Sequence, residues 1–229
     1  MANLRILIAD DHEVVRRGLR MLLASHAGWE VCAEALDGRE AVGKTRQTKP
    51  DIVVLDIGMP NMNGLEAARQ IMRENPGQRI LILTVAESEQ VVREALQTGA
   101  RGFVLKSDAA RELIAAVEAL EQHRTYFTSS AGQIILQEFL ADSHNGASAT
   151  SQNAANLTSR EREIVQLLAE GKSSKEVASI LSLSVKTAET HRSNLMRKLG
   201  IHCLSELVLY AVRNNIVQVE RLNKQNSAI

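Results

Sequence analysis

Four short apolar runs punctuate the first half of the chain, and each leads into a polar residue. Leu4 to Ala9 runs into Asp10 and Asp11, and Ile52 to Leu55 ends on Asp56. Ile80 to Leu83 ends on Thr84, and Gly102 to Leu105 ends on Lys106. Unbroken apolar runs of this length fit strands buried on both faces, as in a parallel sheet. Trp29 to Ala35 alternates and predicts a fifth strand. Helical patterns separate the runs. Val15, Leu19, Leu22 and Leu23 mark one face after Asp11. Arg39 to Thr48 stops before Pro50, and Leu65 to Asn75 stops before Pro76-Gly77. Ser88 to Thr98 ends at Gly99. Leu113, Ile114, Val117 and Leu120 line a further helix that Ser107 or Asp108 is expected to cap.

Strands alternating with helices in this way predict an α/β domain with a doubly wound, five-stranded parallel sheet. The expected strand order is the flavodoxin-like 2-1-3-4-5, which sets the first and third strands side by side. Sites in such sheets form beyond the carboxyl ends of the strands. Asp10, Asp11, Asp56, Thr84 and Lys106 are therefore expected to converge.

The pattern then changes. Residues 129–140 read as one more helix, through Ile134, Ile135, Leu136 and Phe139. Ala141 to Asn156 has no apolar period and reads as a flexible linker. From Leu157 onward every element is helical. Thr158 with Glu161 and Ser173 with Glu176 are capping boxes. Ile164, Leu167 and Leu168 face inward from the first of these helices, and Val177, Ile180 and Leu181 from the second. Ser182-Leu183-Ser184 is a tight connection to a helix from Val185 to Leu199, and a last helix covers about Ser205 to Asn214. Short helices around a turn are the helix-turn-helix signal. The expected division is an α/β domain over 1–125, a connecting helix and linker over 126–156, and an all-α four-helix domain over 157–229.

Composition sharpens this division. The chain has 229 residues, 45% of them hydrophobic, and zero net charge. Residues 1–142 carry 16 Lys and Arg against 20 Asp and Glu, while residues 143–229 carry 11 against 7. An acidic domain is thus joined to a basic one, and a small basic domain points towards nucleic acid. No run has the length of a membrane span. The N-terminus enters a strand without a signal-like segment, so an untargeted, cytoplasmic protein is expected. Cys32 and Cys203 are expected to be reduced, buried thiols. No Cys/His cluster has zinc-site spacing.

Three acids at one point repel one another, and a divalent cation removes the conflict. Carboxylates with open water positions suit Mg²⁺. Asp56 is then a candidate nucleophile towards a phosphoryl group. Lys106 and Mg²⁺ would neutralise the phosphoryl oxygens, and the Thr84 hydroxyl would donate to one of them. An enzyme of the haloacid dehalogenase type would need a second acid two residues after the nucleophile, where this chain has Gly58.

Taken together, Asp10-Asp11, Asp56 with Met59-Pro60 and Gly64, Thr84, and Phe103 before Lys106 resemble the receiver domain of two-component response regulators over residues 4–122. The resemblance implies that a sensor histidine kinase donates a phosphoryl group to Asp56. It implies Mg²⁺ bound by Asp11, Asp56 and the carbonyl of Gly58, with Asp10 reaching it through water. It also implies that Thr84 and Phe103 reorient together on phosphorylation. Val85 departs from the family pattern, where a smaller residue is usual, and Lys106-Ser107 stands in place of Lys-Pro.

In the second domain, a helical wheel at about 100° per residue places Ala188, Leu195 and Leu199 inside, with Lys186, Thr190, Ser193 and Arg197 opposite. Glu189 and Asn194 flank the outer strip. Such a face suits a major groove, where Glu accepts from cytosine and Ser or Thr reaches either base type. Lys186, Arg192 and Arg197 are candidates for phosphate contacts. Leu157 to Glu163, Glu170 to Ser173, and Val185 to Gly200 with its Lys186-Thr187 and Glu189-Thr190-His191-Arg192 resemble the LuxR-type helix-turn-helix domain. A receiver joined to such a domain resembles the NarL/FixJ class of response regulators. That resemblance implies Glu189, Thr190 and Ser193 as base-facing positions, with His191 structural. It implies a homodimer when phosphorylated, formed on inverted half-sites of double-stranded DNA through Leu207, Val208, Ala211 and Val212, and a readout by the transcription machinery. The expected function is phosphorylation-controlled transcription. The alternative is a receiver with vestigial phosphorylation and constitutive or partner-controlled DNA binding.

Overall fold

The computed structural model describes residues 3–85, 88–129, 131–134, 136–137 and 157–218. The chain divides into two compact units, Met1–Ala149 and Thr150–Ile229. The linker expected over 141–156 lies outside the described residues, as do Ile135 and residues 138–140 of the expected connecting helix. Residues 131–134 and 136–137 of that stretch are helical.

In the first unit β1 (Leu4–Ala9), α1 (Glu13–Ala24), β2 (Trp29–Ala35), α2 (Gly38–Thr48) and β3 (Ile52–Asp56) come first. Then follow α3 (Gly64–Glu74), β4 (Arg79–Thr84), α4 (Glu89–Gln97), β5 (Gly102–Leu105) and α5 (Ala109–Glu121). The sheet is parallel and its order is β2-β1-β3-β4-β5-β6. The five expected strands stand in the expected order. The sixth, β6 (Tyr126–Phe127), was not anticipated. It pairs beside β5, Gly102 opposite Tyr126 and Phe103 opposite Phe127, so the first unit reaches past residue 125.

Alternation along each strand splits the core in two. Leu7, Val53, Leu55, Ile80, Ile82 and Phe103 pack with residues of α2, α3 and α4. Ile6, Ile8, Ile52, Val54, Leu81, Leu83 and Val104 pack with residues of α1 and α5 on the other face. Two covered faces are why these strands read as unbroken apolar runs. Caps fix the helix starts: Asp37 accepts from the Glu40 N–H, Asn63 from Glu66 and Ser88 from Val91. Asp108 is an exception to the expected capping. It makes no side-chain cap bond, and its carboxylate takes the Arg111 guanidinium instead.

The second unit holds α6 (Ser159–Ala169), α7 (Ser174–Ile180), α8 (Val185–Leu199) and α9 (Leu204–Arg213). Both expected capping boxes are present, at Thr158 with Glu161 and at Ser173 with Glu176. Gly200 ends α8 at φ +65, a left-handed conformation that glycine adopts without strain. Ile164, Leu167, Leu168, Val177, Ala188, Leu195 and Leu207 form its core. Among the described residues no helix is long and apolar enough to cross a membrane. The two thiols are free, but the expectation that they are buried does not hold: Cys32 is half-buried and Cys203 is exposed.

One backbone contact sets the position of Asp56. A Cβ on Gly64 would sit 2.0 Å from the Asp56 carbonyl oxygen, whereas a Cβ on Gly18 in mid-α1 would meet nothing within 4 Å. Gly64→Ala is expected to lower stability by at least about 2 kcal/mol in urea denaturation, because backbone on both sides must shift. Gly18→Ala is expected to raise it by roughly 0.5–1 kcal/mol through lost unfolded-state entropy. Equal effects at the two sites would contradict the close approach.

Candidate functional site

Register brings the polar strand ends together. Ala9 lies opposite Leu55, so Asp10 and Asp56 leave the sheet side by side. Asp56 lies opposite Leu83, one residue before Thr84, and Thr84 lies opposite Leu105. The Lys106 N–H donates to the Thr84 carbonyl at 2.8 Å, which carries the lysine to the same edge. Asp10, Asp56 and Thr84 are 0%, 2% and 0% exposed, while Asp11 is half-buried.

The Lys106 ammonium is shared between two acids. Its Nζ lies 2.7 Å from Asp10 Oδ2 and 3.0 Å from Asp56 Oδ2. Burial pushes the Asp56 carboxyl above the usual carboxylate range, Lys106 pulls it down, and Asp10 pushes it up again. A hydrogen bond from the Gly58 backbone N–H also favours the charged form. Burial works against the Lys106 ammonium, but the charge of Asp56 and the bond to Asp10 outweigh it, and its pKa is raised. One amine does not balance three carboxylates. Asp10, Asp11, His12 and Asp56 each offer a ligand atom within 4.8 Å of the others. A donor set of mostly hard carboxylate oxygens with excess negative charge fits a divalent cation.

Two residues beside the pocket were not singled out from sequence. Arg16, on α1, donates from Nη1 to the Asp10 carbonyl at 2.8 Å and from Nε to Glu34 Oε2 at 3.0 Å. His12 donates its backbone N–H to Asp10 Oδ1 at 2.8 Å. Four-residue spacing from His12 to Arg16 puts both beside the start of α1, which was the available signal. Phe103 is fully buried in the core of the α2–α4 face, between Ile82 and Phe127 in register. Val85 is 53% exposed.

On α8, Ala188 and Leu195 are buried and Leu199 is half-buried. Lys186, Thr187, Glu189, Thr190, Ser193 and Arg197 are exposed, with Arg192 and His191 intermediate. The outer strip is therefore open to solvent. Two of its hydroxyls and one of its cations already have local partners. Thr190 Oγ1 donates to the Lys186 carbonyl at 2.9 Å, Thr187 Oγ1 meets Ser184 Oγ at 2.7 Å, and Arg197 Nη2 donates to Asn194 Oδ1 at 2.9 Å. The four residues expected to pair two copies differ in exposure. Leu207 and Ala211 are 0% exposed because they fill this unit's own core, and Val208 and Val212 are half-buried. The apolar side chains that α9 presents to solvent are Leu204, 43% exposed, and Leu209, 54% exposed.

Comparison with known proteins accounts for both units. The model of the response regulator receiver domain matches residues 6–118, and that of the bacterial regulatory proteins of the luxR family matches residues 155–211. The chain is 37% identical over 216 residues to the oxygen regulatory protein NreC of Staphylococcus aureus, covering 94% of this chain and all of that one. Among solved structures, a LuxR-family two-component response regulator from Aurantimonas sp. matches with 38% identity and a TM-score of 0.57. That match covers 61% of this chain and 99% of the other. The RcsB response regulator of Salmonella typhimurium matches with 25% identity and a TM-score of 0.56, over 93% of this chain and 100% of that one. RcsB has also been solved bound to DNA.

The charge balance of the pocket makes a stability prediction. Because burial and Asp10 raise the Asp56 carboxyl, the charged form is disfavoured in the native state. Asp56→Asn is expected to stabilise the metal-free protein near neutral pH by roughly 1–2 kcal/mol, read as a higher urea midpoint. A raised native pKa means the native state holds its proton to higher pH than the unfolded chain. The advantage of the Asn variant should therefore shrink as pH falls through the native pKa towards the unfolded one. A gain independent of pH would contradict this assignment.

Proposed function

Because the chain belongs to the DNA-binding response regulators that join a receiver to a LuxR-type helix-turn-helix domain, we propose that Asp56 is its phosphoacceptor and that phosphorylation controls its grip on DNA. The observation that carries the proposal is the Lys106 ammonium held within 3.0 Å of Asp56 in a buried pocket. Asp10, Asp11 and Asp56, with the carbonyl of Gly58, are the residues that would hold Mg²⁺, which when bound neutralises phosphoryl oxygens. An Asp56 carboxylate oxygen attacks the phosphorus of a histidine kinase's phosphohistidine. The phosphorus–nitrogen bond breaks and an acyl phosphate forms. Lys106 then turns from a pair of carboxylates to the new dianionic group, and the Thr84 hydroxyl follows as donor. Thr84 ends β4 and Lys106 follows β5, and the Lys106 N–H donates to the Thr84 carbonyl, which keeps the two residues side by side. Thr84 and Phe103, the latter buried between Ile82 and Phe127 in register, are the switch residues of this reading. The receiver supplies only this self-catalysed transfer and the later dephosphorylation, in which water attacks the acyl phosphate and releases inorganic phosphate and the Asp56 carboxylate.

Phosphorylation favours pairing of two copies, and pairing raises DNA affinity through the effective concentration of two recognition helices. The exposed strip of α8 supports this role. Glu189, Thr190 and Ser193 face bases, and Lys186, Thr187, Arg192 and Arg197 hold the sugar–phosphate backbone of inverted half-sites in the major groove. Val208 and Val212, half-buried on α9, pair the two copies together with the exposed Leu204 and Leu209, while Leu207 and Ala211 support them from the core. Output to the transcription machinery follows from occupancy of the operator.

Two experiments test this reading. Beryllofluoride with Mg²⁺ is expected to raise the DNA affinity of the natural chain at least about tenfold in an anisotropy titration, within the usual range of coupling energies. It should leave Asp56→Ala unchanged. Equal affinities of both proteins under all conditions would leave the constitutive alternative. In the second, Lys186→Ala is expected to weaken binding alike on all sequences and to lower the salt slope by about 1, while Glu189→Ala relaxes base preference.

A further inference from the structure

The acidic pocket contains one side chain that phosphoryl transfer does not use. His12 follows Asp10 and Asp11, and its Nδ1 lies 2.9 Å from Asp11 Oδ1 and 3.4 Å from Asp10 Oδ1. Its nitrogen and one carboxylate oxygen from each of Asp10, Asp11 and Asp56 all lie within 4.8 Å of one another. Around an octahedral divalent ion with bonds of about 2.1 Å, neighbouring donors sit about 3.0 Å apart and opposite donors about 4.2 Å apart. The bound of 4.8 Å on the four donors is a few tenths of an ångström wider than such a shell, so a small contraction gathers them around one ion.

Local structure presents the ring for this. His12 stands at the N-cap of α1 with extended backbone, φ −85 and ψ 108, and its side chain makes no cap bond. Its backbone N–H is tied to Asp10 Oδ1 at 2.8 Å, which fixes the ring's root beside the pocket. The side chain is 43% exposed, so ions arriving from water meet it before the buried acids.

We propose that His12 is a nitrogen donor to the divalent ion of this pocket and biases the site towards first-row transition ions, Mn²⁺ being the probe, over Mg²⁺. The inference rests on the cation site read from Asp10, Asp11 and Asp56 above. Mg²⁺ prefers oxygen and keeps its waters, whereas imidazole suits borderline ions. Ligation through Nδ1 requires only the neutral tautomer whose proton sits on Nε2, so protons balance without a base. The bias appears as a preference for Mn²⁺ over Mg²⁺ added to whatever preference the carboxylates have alone.

The test uses the full chain, Mn²⁺ and Mg²⁺, and two variants. His12→Asn keeps a short polar side chain at this position but has no nitrogen lone pair to offer. Asp11→Asn weakens the site itself. Affinities come from calorimetry, and direct ligation is read from nitrogen modulation in the pulsed electron paramagnetic resonance of bound Mn²⁺. The natural chain is expected to show a histidine-nitrogen signal that His12→Asn abolishes. That variant should also lose about tenfold in its preference for Mn²⁺ over Mg²⁺, with a urea midpoint no lower than that of the natural chain, since Asn caps a helix well. Absence of the nitrogen signal in the natural chain, or an unchanged preference in His12→Asn, overturns the role of His12. If Asp11→Asn still removes both ions in that case, the cation site stands and only the histidine falls. If the natural chain binds neither ion, the underlying reading falls too.

Discussion

One ammonium between two buried carboxylates holds this receiver poised. Lys106 reaches Asp10 and Asp56 at once, in a place where water screens little. Two negative charges around one positive charge is a stable arrangement only while nothing better is offered. A cation or a phosphoryl group, on the reading proposed above, would change the sum and let the lysine redistribute its bonds. The charge conflict that burdens the folded state at Asp56 is, on that reading, what would make the pocket responsive.

The strands exist to make that meeting possible. Side chains from β1, β3, β4 and β5 reach one edge because their order places β1 beside β3 and β5 beside β4. Nothing local in Asp10 or Lys106 determines their contact, which spans most of the first unit's length. Supporting contacts then hold the backbone still. Arg16 grips the Asp10 carbonyl from α1, and the absence of a side chain at Gly64 lets α3 press on Asp56.

Most of this was legible in the chain because the relevant signals are strong and local. Apolar runs with polar ends mark buried parallel strands, and Ser or Thr with Glu three residues later marks the helix starts of the second unit. What was not legible has physical causes. A two-residue strand such as Tyr126–Phe127 carries no periodicity, and only the vacant edge of β5 recruits it. Asp108 has the right side chain for a cap, but Arg111 competes for its carboxylate and Ser107 crowds it. On α9 the apolar residues point both ways. Leu207 and Ala211 fill the interior while Leu204 and Leu209 face out, and a single helix with apolar residues on more than one side does not say which side its own domain covers. In the acidic pocket the acids and the lysine were legible, whereas the grip of Arg16 depends on Glu34, a residue from another strand.

The short sixth strand has a practical corollary for anyone who wants the first unit alone. Ala131 is completely enclosed among the same side chains as Phe103, and Phe127 and Ile134 rest against them. An excision after α5 would strip the flank of β5 bare, leaving an open edge with apolar side chains beneath it, the kind of margin along which separate molecules zip together. A well-behaved fragment has to carry its chain on beyond Ile134, and aggregation of a shorter one would report the missing edge, not a fault in the pocket.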